Sequence, residues 1–332
     1  MKRRNFLINT TLTSVGTLFA ADAFSNMLMP LKASGIRFGI CTDIHLDTVY
    51  DGKQRLEAYM ADMVKKNPDF IIQLGDFCSP HEQNKAYRDI WNRFKGPKYD
   101  VIGNHDTDEG FTRQQVVDFW KMPARYYSFD SQGYHFVVLD ANEAEQYKER
   151  DPKAKYVSYI GDDQLAWLEA DLDKTKSPVI VFLHQSLENN MGGVQNGVQV
   201  RALLDRCNVK AKALKVQMVF TGHHHQDYYN VINGIHYIQI NSMSYQWMGK
   251  GYENVPYTEA VNEKYTWTKY TAPYKDPLWA FVEISPNGKF KLTGRQSVFA
   301  GKSPEELGRG KYNRNGYPDV PYISNREIKL LV

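Results

Sequence analysis

The chain has 332 residues, 42% of them hydrophobic and 24% charged, enough to bury a large core, so disorder is excluded as its default state. Its formal net charge of +3 is carried by residues 1–33, where Lys2, Arg3, Arg4 and Lys32 stand against Asp22, and residues 34–332 are neutral. A neutral body has no electrostatic footprint for duplex nucleic acid or for an anionic membrane surface.

The chain opens MKRRNFLINTTLTSVGTLFAADAF: a basic start, a run over residues 6–24 diluted by Thr and Ser, and small-residue stops at Ala21-Asp22-Ala23 and near Ala33. The run is short and weakly apolar for a membrane span, so residues 1–33 are expected to be a removed export signal rather than a stable membrane anchor. Arg3-Arg4-Asn5-Phe6-Leu7 resembles the twin-arginine export signal of bacteria, implying a periplasmic or secreted protein; an ordinary secretory signal is the alternative.

IRFGICT (36–42) reads as a strand, and QRLEAYMADMVKK (54–66) as a helix with Leu56, Tyr59, Met60, Met63 and Val64 at helical spacing, ended by Pro68. A strand DFIIQL (69–74), a helix KAYRDIWNRF (85–94) and a strand KYDVI (98–102) follow. This βαβαβ succession predicts a parallel sheet covered by helices. YYSFD and YHFVVLD (126–130 and 134–140) form a hairpin about Ser131-Gln132-Gly133, followed by a helix over 162–174, an apolar strand PVIVFL (178–183), a helix near 199–207 and a strand KVQMVF (215–220). DYYNVI and IHYIQI pair about Asn233-Gly234, the strongest hairpin signal in the chain, and WAFVEIS and KFKLTGRQ pair about Pro286-Asn287-Gly288.

Residues 34–300 therefore read as one α/β domain with two sheets. Residues 244–277, crowded with Tyr, Trp and Pro, read as a long ordered loop, and residues 301–332 as an extended tail packed on the domain. Cys41 and Cys207 read as small apolar residues, and the three cysteines, with no Cys-x-x-Cys, predict no disulfide framework. His81 falls in a polar loop, whereas His135 and His236 sit within strands and are expected to be structural.

Ligand sites of open α/β sheets lie beyond the carboxyl ends of the strands. Those positions carry Asp43-Ile44-His45, Gly75-Asp76, Gly103-Asn104-His105-Asp106, His184 and Gly222-His223-His224-His225. Asp43, His45, Asp76, Asn104, His184, His223 and His225 mix oxygen and imidazole donors without thiolate, a set that suits Mn, Fe or Zn rather than a structural zinc site. Seven donors exceed the needs of one ion with open positions, so two divalent ions with one bridging carboxylate are expected. Each of these residues alone has a plainer reading, as a cap, a turn or a structural histidine, but five such clusters at strand ends are hard to produce by capping.

In that order, Asp-x-His, Gly-Asp, Gly-Asn-His-Asp, a lone His and Gly-His-x-His resemble the motifs of the calcineurin-like metallophosphoesterase family over about residues 36–240. The resemblance implies a four-layer αββα sandwich of two mixed sheets with flanking helices, a binuclear metal centre, and hydrolysis of a small phosphorylated substrate. It also implies that Asp43, His45, Asp76 and His225 hold one ion, and Asp76, Asn104, His184 and His223 the other, with Asp76 as the bridge. His105 would donate to the leaving oxygen or a phosphate oxygen, with Asp106 orienting its ring; the alternative for Asp106 is a helix or turn cap.

Phe77-Cys78-Ser79 and Val101-Ile102 stand where the family's protein Ser/Thr phosphatases carry arginines, and Ser79 where purple acid phosphatases place a tyrosine ligand. What remains is similar to a bacterial branch of phosphodiesterases and nucleoside-diphosphate-type pyrophosphatases, with a phosphomonoesterase and a non-catalytic metal-binding scaffold as alternatives. Tyr245, Trp247, Tyr252, Tyr257, Tyr265, Trp267 and Tyr270 either stack a base or sugar or form core beneath a loop. Within the histidine run, an extended backbone predicts that His223 and His225 face the ions and His224 faces away.

Overall fold

A computed structural model describes residues 34–145, 156–189, 191–313 and 315–330; the export signal expected over residues 1–33 lies outside the described residues. In chain order the strands are β1 (Ile36–Cys41), β2 (Phe70–Gln73), β3 (Lys98–Asp100), β4 (Tyr127–Ser131), β5 (Tyr134–Val138), β6 (Val179–Phe182), β7 (Val216–Thr221), β8 (Tyr228–Ile232), β9 (Ile235–Gln239), β10 (Tyr245–Trp247), β11 (Thr271–Pro273), β12 (Ala280–Ile284), β13 (Lys289–Thr293) and β14 (Arg326–Lys329). The helices are α1 (Gly52–Lys66), α2 (Lys85–Trp91), α3 (Arg113–Trp120), α4 (Asp162–Lys174), α5 (Gly197–Ala211) and α6 (Glu259–Lys264).

Two six-stranded mixed sheets result, ordered β14-β13-β12-β1-β2-β3 and β4-β5-β6-β7-β9-β8. The β1-β2-β3 and β5-β6-β7-β9 runs are parallel, as the βαβαβ pattern predicts, and the remaining pairings are antiparallel. Side-chain alternation assigns the layers. Phe136, Ile180, Phe182, Met218 and Phe220 join Phe38, Ile40, Phe70 and Ile72 in one core cluster between the sheets. Val137, Val179, Val181 and Val219, one residue out of phase, meet Leu165, Leu168 and Leu172 of α4 and Val200, Leu203 and Leu204 of α5. Strands buried on both faces read as unbroken apolar runs, which is why PVIVFL is so hydrophobic. Phe38 is the hub, stacked on Phe70 with ring centroids 4.8 Å apart and edge-on to Phe136, Phe182 and Phe220.

The hairpin turns behave as their residues dictate: Gln132-Gly133 and Asn233-Gly234 all take positive φ, the signature of the two-residue turn that matches strand twist. Three local expectations need correction. Residues 244–277 are not one loop but hold the β10-β11 ribbon and α6. Helix α3 was not anticipated, although Thr112 and Gln115 form a full capping box at its start. Val64 is exposed, because the buried stripe of α1 ends with Met63. Within the tail from residue 301, β14 joins the edge of the first sheet. The three cysteines are buried and unpaired. Among the described residues no helix is long and apolar enough to cross a membrane.

Asp100, at the end of β3, is buried, and only Gln73 Nε2, 3.3 Å away, is placed to donate to its carboxyl. Burial pushes its pKa from 3.8 up to about 7. The folded state therefore binds a proton that the unfolded chain has released, and stability falls as pH rises from about 4 through about 7. Asp100→Asn should abolish this loss: urea unfolding at pH 8 should show the variant more stable, by at most about 4 kcal/mol, with the gap closing by pH 4. A gap that persists at pH 4 would contradict this assignment.

Candidate metal centre

The seven donors expected from the sequence follow β1, β2, β3, β6 and β7, so both sheets contribute their carboxyl ends to one place. The loops stay hydrogen-bonded beyond the strands: Asp43 N–H donates to Gly75 O at 3.0 Å, His45 N–H to Asp76 O at 3.0 Å, and Gly222 N–H to His184 O at 2.9 Å. Five of the seven donors, Asp43, His45, Asp76, His223 and His225, have left-handed φ between 50° and 74°. For residues with a side chain this conformation is strained, and the ladder around it must hold it in place.

The donors fall into two groups, Asp43 with His45 and His225, and Asp76 with His184 and His223, the donor atoms of each lying within 4.8 Å of one another. His225 Nε2 is 3.2 Å from Asp43 Oδ1, and His184 Nε2 is 3.1 Å from Asp76 Oδ2. Asp76 Oδ2 also lies 3.9 Å from His45 Nε2, so this carboxylate stands between the groups. Asn104 Oδ1 is buried without a partner.

Backbone carbonyls fix the imidazoles. His184 Nδ1 donates to Leu74 O and His225 Nδ1 to Tyr245 O, both at 2.8 Å, which leaves each Nε2 as a lone pair. His225 Nε2 meets His45 Nε2 at 3.3 Å, and both nitrogens face carboxylate oxygen. Imidazole nitrogens crowded against carboxylate oxygens are satisfied by a cation between them, and buried carboxylate, carboxamide and imidazole donors fit divalent metal. The charge states agree. Burial pushes His45 down to about 3, and it pushes His223 down as well, aided by His184. Burial alone would raise Asp43 and Asp76, yet adjacent imidazoles hold both below the usual carboxylate range. Burial opposes protonation of His184, but Asp76 and Asp43 lift it to about 9, so the site without metal takes up a proton as its cation.

Glycine is required where the chain passes against the carboxylates. A Cβ on Gly103 would sit 2.1 Å from Asp76 N and 2.2 Å from Asp76 Oδ1, and one on Gly222 would sit 2.6 Å from Asp43 Oδ2. Residues 242–245 brace the other side: Ser242 Oγ donates to Asp43 O, Ser244 Oγ to Ile44 O, and buried Arg55 of α1 to Met243 O and Tyr274 O. No sequence motif marks this brace, because its contributions include backbone oxygens some 200 residues away.

Asp106 takes the cap role that was its alternative. The Asp106 carboxylate accepts the N–H groups of Asp76, Phe77, Cys78 and Gly103 and serves as the cap of that loop. His105 Nδ1 instead meets Asp108 Oδ2 at 2.8 Å, while Tyr156 OH donates to Asp108 Oδ1 at 2.6 Å. From His105 the chain makes a 3₁₀ turn that kinks at Asp108 and Glu109, and across that turn neighbours diverge and positions three apart align. That spacing is visible in the sequence; Tyr156 has no signal there. The His105 side chain is 41% exposed, open to a substrate.

His224 does point away, but not because the chain is extended. His224 N–H donates to Gly222 O at 2.9 Å across His223 at φ 74°, the pattern of a γ-turn. Its Nε2 meets Ser186 Oγ at 2.9 Å.

Two clefts of about 540 and 520 Å³ flank Tyr156 and share Asn104. The first is lined by Asp108, Thr112 and Arg113, the second by Gln185, Gly193 and His223.

The family model described as calcineurin-like phosphoesterase matches residues 36–227. A 3′,5′-cyclic-nucleotide phosphodiesterase of Nostoc sp. is 23% identical over 72% of this chain and 88% of its own length. A manganese-dependent ADP-ribose/CDP-alcohol diphosphatase of Arabidopsis thaliana is 24% identical over 60% of this chain and 83% of its own. Among solved structures, a dimetal phosphatase from Danio rerio superposes with a TM-score of 0.56 at 15% identity, covering 83% of this chain and all of that one.

The three consecutive histidines should respond unequally. His223→Ala or His225→Ala should lose bound metal and at least roughly tenfold in activity, while His224→Ala should keep both and lose about 1 kcal/mol of stability with its hydrogen bond. Metal analysis and turnover of the three variants check this, and equal loss at all three positions would contradict it.

Proposed function

Because the chain belongs to the calcineurin-like phosphoesterase family, whose members are metal-dependent hydrolases, we propose that it cleaves small phosphodiester or nucleotide-type substrates at the centre built by its strand ends. The observation carrying this reading is the pair of buried donor groups facing each other across Asp76, with exposed His105 at their edge. In it Asp43, His45, Asp76 and His225 hold one ion and Asp76, Asn104, His184 and His223 the other. Two such ions, Mn, Fe or Zn, supply the Lewis acidity that activates water near neutral pH and neutralises charge on the phosphoryl group.

The protein's own groups do the remaining work. Asp108 Oδ2 and Tyr156 OH both engage Nδ1 of His105, so Nε2 is the atom that serves the leaving oxygen or a phosphate oxygen. Tyr156 fastens Asp108 in that position. Asp106, engaged by four backbone N–H groups, keeps Asp76 in its left-handed turn and makes no contact with substrate.

Two facts support a diester over a monoester. The relatives named above act on a cyclic nucleotide and on diphosphates, in which phosphorus is linked on two sides. The clefts on either side of Tyr156 offer room for a group on each side of the phosphorus. The sequence of residues 1–33 supports action outside the cytoplasm.

After reconstitution with Mn, Fe or Zn, the protein should bind about two ions and turn over bis(p-nitrophenyl) phosphate faster than p-nitrophenyl phosphate, and Asp76→Ala should abolish both activities. Absence of bound metal would refute the centre; rapid monoester turnover with an inert diester would refute the substrate class. Asp108→Asn should lower kcat for the diester by at least roughly tenfold with little change in metal content, and an unchanged kcat would remove Asp108 from the mechanism.

A further inference from the structure

The aromatic-rich segment over residues 244–277 lies wholly outside the region matched by the family model. Of its aromatic residues Tyr245 and Tyr274 are buried, and the Tyr245 ring stacks on His45 with centroids 5.1 Å apart and lies 4.9 Å from the ring of His225. Tyr245 and Trp247 are alternate residues of β10 and therefore project from the same face, about 6.6 Å apart along the strand. At Trp247 the surface opens. Trp247 is 42% and Trp267 55% exposed, although exposed indoles are costly on a protein with no use for them.

Trp247, Trp267 and Tyr270 form a triangle, with centroid separations of 6.3, 6.1 and 5.9 Å. Their planes are inclined by 45–49°, so none lies flat on another; Lys269 Nζ sits 5.0 Å over the Tyr270 ring, and the two exposed indoles offer their faces to a ligand. The platform is held from behind. Arg309 donates to the carbonyl of Trp247 while paired with Asp319 at 3.3 Å, and Met248 N–H donates to Tyr270 O at 2.8 Å. Arg309 also lines a hollow with Gly192, which itself lies beside His223, so the platform adjoins the metal centre.

We propose that Trp247, Trp267 and Tyr270 are a stacking subsite for a planar heteroaromatic ring, such as a nucleobase, on the substrate's non-leaving substituent. This rests on the reading of the centre as a phosphodiester hydrolase and names the chemistry of one of the two groups. Stacking on an aromatic face tolerates different bases, so the subsite selects for a flat ring and not for its hydrogen-bonding edge.

The test uses the metal-reconstituted full chain and two diesters with the same leaving group, thymidine 5′-(p-nitrophenyl phosphate) and methyl p-nitrophenyl phosphate. In Trp247→Ala and in Trp267→Ala, the ratio of kcat/KM for the nucleoside diester to that for the methyl diester should fall about tenfold. A purely structural lesion lowers both rates together and leaves the ratio unmoved. Tryptophan fluorescence should also show adenosine 5′-monophosphate quenching the wild type more than ribose 5-phosphate does, with the difference lost in both variants. An unchanged ratio together with unchanged discrimination between the two ligands would overturn the subsite. Ring-selective binding by a wild type inert towards both diesters would uphold the subsite and strike the hydrolytic reading instead.

Discussion

Two carboxylates, Asp43 and Asp76, are buried together at the meeting of two sheets, and each shares imidazole neighbours with the other. Like charges so placed repel strongly in a medium of low polarisability, and the rest of the architecture answers that problem. Backbone carbonyls of Leu74 and Tyr245 turn the Nε2 lone pairs of His184 and His225 inward. The arrangement is thus stable only around positive charge, which gives a metal-dependent phosphoesterase both its cofactor affinity and its power to neutralise a phosphoryl group.

Holding the carboxylates there sets conditions on the chain. Left-handed turns at five candidate ligand positions redirect side chains sharply at the ends of strands, and a strand end is rigid enough to enforce them. Gly103 and Gly222 leave space for the two carboxylates, and Asp106 ties down the loop that carries Asp76. The residues that bind, those that make room and those that brace are interleaved within the same short motifs, so each motif combines glycine, acid and histidine.

This interleaving explains what the sequence made legible. Asp43, His45, Asp76, Asn104, His184, His223 and His225 stand directly after apolar runs, and parallel strands bring such positions together whatever the loops do. Asp106 takes its alternative role as a cap, and His105 meets Asp108 three residues on, because across a 3₁₀ turn neighbours in sequence diverge in space. His224 diverges from its neighbours as expected, but through a γ-turn that no periodicity encodes. Tyr156 and the brace at Ser242 and Ser244 were invisible because their partners are set by tertiary packing over separations of about 50 to 200 residues.

Strand β1, near the start of the described chain, lies in the interior of its sheet with β2 on one side and β12 on the other, and Ile36 pairs with Ile284. Asp43 and His45 hang from the end of this strand, so the part of the site earliest in the chain rests on pairing with residues synthesised late. A nascent chain lacking β12 exposes one edge of β1, a template for pairing with other chains until the last quarter emerges. Closure over so long a separation also makes assembly of this sheet slow, and a competent centre is correspondingly a late event in folding.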